Sequence, residues 1–145
     1  MKLDKSVINE IKSIIVQGRE QAILNVDNIR VMMYWKIGKR IFEEEQQGRD
    51  RAEYGTFLIK SLAKELQPEY GSGFSVRQLE RYRQFFRMFP ITSALRTQLN
   101  WTHYKLLLPF ENQDKREYYI LEATRNNWTA RQLEKESMGS AIITS

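Results

Sequence analysis

Arg77, Arg81, Arg83 and Arg87 stand in the stretch GSGFSVRQLERYRQFFRMFP, residues 71–90, and Arg96 follows shortly after. Only Glu80 opposes them between Gly71 and Asn100. A guanidinium is a rigid fork of N–H donors that matches a phosphate edge, so a cluster built from arginine alone suits phosphate contact better than generic solubility. The formal charge of +5 is concentrated accordingly. Residues 51–100 hold 8 Lys/Arg against 4 Asp/Glu, whereas residues 1–50 hold 9 against 8 and residues 101–145 hold 6 against 6. At 100° per residue, Arg77, Arg81, Gln84 and Arg87 share one half of a helix with Glu80, and Arg83 lies at its margin. Leu79, Tyr82, Phe85, Phe86 and Phe89 occupy the other half. Such a face can meet nucleic acid, the acidic surface of a partner, or only solvent. The clustering favours nucleic acid, with Arg96 extending the patch.

Catalytic constellations are mostly absent. One histidine and no cysteine exclude an ordinary zinc site and cysteine nucleophile chemistry. His103, between Trp101 and Tyr104 at a helix start, reads as a capping or packed side chain and not as a base. Glu111, Asp114 and Glu117 could face a cation, but Lys115 and Arg116 beside them indicate a solvated helix. Gly71-Ser72-Gly73 lacks the lysine of a phosphate-cradling loop. The carboxylates and E-x-K of a metal-dependent nuclease are missing. The expectation is a binding chain without cofactor or metal, not an enzyme. Trp35, Trp101, Trp128, Phe85, Phe86 and Phe89 could stack bases, yet aromatics at helical spacing read first as core.

The elements that must position the arginines are helical throughout. With 41% hydrophobic residues and 12% aromatics, 145 residues suffice for one folded domain with a core. We expect an all-α domain of six or seven helices over residues 1–138 and a frayed tail at 139–145. No run reaches the roughly 18 apolar residues of a membrane span. The N-terminus, with Asp4 and Glu10, lacks the apolar core of a signal peptide. The expected compartment is the cytoplasm, with no membrane partner.

Taken in order, a first helix over about 4–24 gathers Val7, Ile8, Ile11, Ile14, Ile15 and Ala22. A second, over about 26–47, carries two apolar stripes: Val26, Ile29, Met33, Ile37 and Ile41, and separately Val31, Trp35, Gly38 and Phe42. Two stripes suit either a central helix, the preferred reading, or a helix shared with a subunit interface. Gly38 costs helix stability, which a close crossing beside Trp35 would justify. Glu43-Glu44-Glu45 reads as a solvated helix end. A third helix spans about 51–66. Pro68 to Phe74 then forms a loop longer than the 3–4-residue turn of a helix-turn-helix, so a helix-turn-helix-like part is compatible but unassigned. Ser75 caps the arginine helix and Pro90 ends it. Thr102 is the expected cap of a short helix, Asn112 or Asp114 of the next, and Thr129 of the last. Phe74-Ser75 and Trp128-Thr129 share an aromatic before the cap, as a hydrophobic staple requires.

Several of these pieces recur together in one known family. Trp35-Lys36-Ile37-Gly38, Tyr54-Gly55, Gly73-Phe74-Ser75 with Leu79, and Arg83-Gln84-Phe85 resemble the YhcG-type N-terminal domain. Leu99-Asn100-Trp101-Thr102-His103-Tyr104, Arg116-Glu117-Tyr118-Tyr119 and Trp128-Thr129-Ala130-Arg131-Gln132-Leu133 continue in the same order, so the resemblance covers about residues 10–135. It implies a helical domain ahead of a C-terminal PD-(D/E)XK nuclease-like domain, with DNA binding or assembly as its role. The family's catalytic residues lie in that second domain, so none carries over. After Glu136 the chain reads SMGSAIITS instead of continuing toward the nuclease, as a short relative or a truncated copy would.

Two expectations result. Either the arginine face binds nucleic acid, with DNA the expected partner, through phosphates that position without specifying, or the chain is an assembly module that homo-oligomerises through Val31, Trp35 and Phe42. A nuclease-domain protein acting in trans is the further partner that the resemblance implies.

Overall fold

Among the described residues, seven α-helices form where the periodic apolar residues and caps require them: α1 (Lys5–Ala22), α2 (Val26–Glu45), α3 (Arg51–Tyr70), α4 (Val76–Met88), α5 (Trp101–Leu107), α6 (Gln113–Arg125) and α7 (Ala130–Thr144). The computed structural model describes the backbone of residues 1–22 and 26–144 and the side chains of residues 1–19 and 26–138. Among these residues there is no strand, as expected of an all-α chain. The expected end of the first helix at Leu24 and the Ala22 side chain lie outside the described residues. The helices divide into two compact units, residues 1–90 and 91–145.

In the first unit α2 is the central helix, packed by α1, α3 and α4. Ile11 and Ile15 of α1, Ile37 and Ile41 of α2, Leu58 and Leu62 of α3, and Leu79 and Phe85 of α4 are fully buried. Each contributes on the order of 1.5–3 kcal/mol by leaving water. The second stripe of α2 is core as well, which corrects the expected interface. Val31 and Trp35 are buried, the Trp35 indole N–H donates to the Phe89 carbonyl at 2.7 Å, and Phe86 lies edge-on to Trp35. Phe42 is half-buried against Phe86, with ring centroids 5.4 Å apart. Val31 and Trp35 are spent on α4, while Phe42 keeps part of its surface at a groove beside Glu45 and Arg83. The glycine between them explains how α4 comes so near. A Cβ on Gly38 would fall 1.9 Å from the backbone oxygen of Tyr82, so only glycine permits this crossing.

The acidic end of α2 is the main departure from the sequence reading. Glu44 and Glu45 are buried, not solvated. Carboxylates at a helix C-terminus oppose the helix dipole and need cations to hold them there. Arg40 pairs with Glu44 at 3.0 Å and also with Glu10 of α1, and the Tyr54 hydroxyl donates to Glu44 at 2.9 Å. Arg83 of α4 pairs with Glu45 at 2.8 Å, and the missing side chain of Gly55 leaves room for the Glu45 carboxylate on α3. These two clusters tie all four helices together. The α3–α4 connection is shorter than expected, because α3 runs through Pro68 to Tyr70, where only the Lys64 carbonyl loses its helical partner. Gly71, at φ +97°, then turns the chain into a 3-10 turn over Ser72–Phe74. Ser75 caps α4 by accepting from the Gln78 N–H.

In the second unit Asn100, not Thr102, caps α5, since its side chain reaches the His103 N–H at 3.0 Å. The His103 ring accepts from the Asn100 N–H through Nδ1 and meets the Trp128 carbonyl through Nε2 at 2.8 Å. With both nitrogens engaged and the ring buried, His103 is a structural tie between α5 and the start of α7. Asn112 caps α6 as expected. Asn127 in the left-handed region closes α6, with the Trp128 N–H on the Ala123 carbonyl. Thr129 and Gln132 cap α7 reciprocally, and the backbone of α7 continues to Thr144, into the stretch expected as a tail.

Two outcomes test this packing. Gly38→Ala lowers the stability measured by urea denaturation by about 2 kcal/mol or more, because overpacking against rigid backbone outweighs alanine's better helix propensity. The second concerns Tyr54, whose phenol is pushed up to about 12 by burial and by its bond to Glu44. The folded chain therefore holds that proton more tightly than the unfolded chain, and stability falls as pH rises from about 10 toward 12. Urea midpoints measured across that range flatten in Tyr54→Phe relative to the parent.

Candidate nucleic-acid interface

The outer surface of α4 follows from its inner one. Leu79, Tyr82, Phe85 and Phe89 are buried, which leaves Arg77 and Arg87 exposed and Arg81 and Gln84 half-buried along the same side. At 1.5 Å per residue, Arg77 and Arg87 are separated by about 15 Å along the axis, a span of about four phosphates at 3.4 Å per nucleotide of one strand. Among the described residues, Arg77, Arg81 and Arg87 form no ion pair with a carboxylate.

The other expected members separate from this stripe. Arg83 is held by Glu45 and belongs to the packing of α2 against α4. Arg96 is exposed but lies in the second unit, where its backbone N–H donates to the Tyr104 hydroxyl at 2.8 Å. The structure thus brings together Arg77, Arg81, Gln84 and Arg87 on α4, while Arg96 belongs to the second unit. Aromatic stacking surfaces are not offered either: Trp35, Trp101, Phe85 and Phe89 are buried, and Trp128 and Phe86 are half-buried.

Two further cations of the first unit, not singled out by spacing, are Arg30 of α2 and Arg51 of α3. Burial, with Tyr34 stacked on it at 4.2 Å, pushes the Tyr82 phenol well up, while Arg81 and Arg30 of α2 both pull it back. Arg30 is itself exposed. Arg51, at the first position of α3, lines a groove with Arg83 and Arg87. Neither was visible by spacing, because each belongs to another helix. No group of three or more His, Cys, Asp or Glu side chains that could hold a metal occurs among the described residues. Glu111, Asp114 and Glu117 are exposed around the first turns of α6. Among the same residues, no helix is long and apolar enough to cross a membrane.

Comparison with known proteins agrees with the resemblance drawn from the motifs. The model of the DUF1016 N-terminal domain matches residues 10–142. The Escherichia coli (strain K12) protein named "Putative nuclease YhcG" is 32% identical to the chain, over 82% of this chain and 40% of that protein. The chain thus spans well under half the length of that curated relative. No solved structure matches it significantly. With a family match over nearly its whole length, the chain belongs to the DUF1016 N-terminal domain family, the YhcG-type N-terminal domain.

Proposed function

We propose that the first unit is a DNA-binding module that holds backbone phosphates along Arg77, Arg81, Gln84 and Arg87 and performs no cleavage itself. One observation carries this reading: the arginines of the unit are sorted. Arg40 and Arg83 neutralise buried carboxylates, whereas Arg77, Arg81 and Arg87 project from one helix side without a carboxylate partner among the described residues. A fold that uses arginine internally where it needs charge, and leaves a further row outside, has positive surface to spare for a polyanion. A relative named as a nuclease supports the same reading, since a module that holds DNA serves a nuclease domain in the same or another chain. The contacts position the duplex without reading its sequence. A second copy of the chain would double this small face. The cytoplasm is the compartment in which we place this activity.

Assembly is the other role open to the family. It no longer has the α2 stripe, but Tyr118 and Leu121 stand exposed at i and i+3 on α6. Fluorescence anisotropy with a short labelled duplex at low salt separates the two readings. The parent chain binds, and Arg77→Ala/Arg81→Ala weakens binding equally for unrelated sequences, while its circular dichroism and melting remain those of the parent. Absence of binding by the parent would overturn the DNA reading and leave the α6 face as the working surface.

A further inference from the structure

The geometry points to a seat for one more backbone phosphate beyond the end of the α4 stripe, with Arg51 as the residue that holds it; this rests on the reading of α4 as a phosphate face. The seat is a groove of about 540 Å³ formed where α2 ends, α3 begins and α4 ends, lined by Phe42, Glu45, Arg51, Thr56, Arg83 and Arg87. That volume suits a phosphate with its sugar better than a lone ion. Arg51, Arg83 and Arg87 line it against one carboxylate, Glu45, which leaves an excess of positive charge. Arg83 is fixed on Glu45 at 2.8 Å and would leave a buried carboxylate unpaired if it moved. The cations available to a ligand are therefore Arg51 and Arg87, from two different helices.

Arg87 belongs both to the exposed stripe and to the groove, which makes the groove the continuation of the α4 surface. A strand that runs along α4 from Arg77 reaches Arg87 and then Arg51. Stability of α3 gives no reason for an arginine at this position. A cation on the first residue of a helix opposes its dipole, and Asp50 and Glu53 already provide the favourable cap and charge. Arg51 is exposed and has no ion pair among the described residues, so its charge is free for a ligand. The phosphodiester of the bound strand is the anion that the groove's position selects.

Duplex binding measured against salt concentration for the parent chain, Arg51→Ala and Lys60→Ala tests the seat. Lys60 is exposed and lies half a turn round α3 from Arg51, so its removal costs the same charge away from the groove. Arg51→Ala weakens binding several-fold and lowers the slope of log affinity against log salt by about 1, whereas Lys60→Ala leaves the slope as it was. If Arg51→Ala and Lys60→Ala behave alike while Arg77→Ala/Arg81→Ala still weakens binding, the seat is wrong and the α4 reading stands. If the parent chain does not bind the duplex, both fail. Matching circular dichroism of the two single variants confirms that folding is not what changed.

Discussion

Everything in the first unit depends on how closely α4 can lie across α2. At Gly38 the two backbones are so near that a single methyl group would collide with the Tyr82 carbonyl. That approach lets Trp35 reach the Phe89 carbonyl and brings Arg83 onto Glu45. It also sets the rotation of α4. With Leu79, Tyr82 and Phe85 committed inward, Arg77 and Arg87 are left on the exposed side of α4. The arginines there are displayed by a constraint on the opposite side of their own helix, one backbone contact deep in the core.

The same crossing sorts the charges. A buried carboxylate at the end of α2 is tolerable only with a cation beside it, and Arg40 and Arg83 supply those cations. Arg116 of the second unit is likewise an internal group, donating to the Phe110 carbonyl at 2.7 Å while its residue is buried. Net charge is therefore a poor guide to a binding surface in this chain. Which arginines are consumed by the fold matters more than how many there are.

What local pattern determines was legible beforehand. Ser75 and Pro90 bound α4 because capping and proline geometry act within a few residues. The two stripes of α2 and the cost of Gly38 together implied a central helix with a tight crossing, and both are present. Long-range pairing was not legible. Glu45 and Arg83 are separated by 38 residues, so the acidic run read as solvated and Arg83 read as part of the patch. Trp35 and Val31 offered an apolar stripe that suits core or interface equally, and only the position of α4 decides between them. Arg51 joins Arg83 and Arg87 at a groove by tertiary proximity, for which no spacing rule exists. Asn100 displaced Thr102 as a cap because its side chain and the His103 ring satisfy each other's backbone, a reciprocal bond that either residue alone does not announce.

We propose a division between arginines that hold the fold and arginines that face a ligand. Its most direct test is an NMR titration of the arginine Nε–H resonances with a short DNA duplex. Arg77, Arg81 and Arg87 are expected to shift progressively as duplex is added, while Arg40 and Arg83 keep their positions on Glu44 and Glu45. Shifts confined to Arg40 and Arg83, or spread evenly over all the arginines, or absent from the α4 stripe, would contradict it.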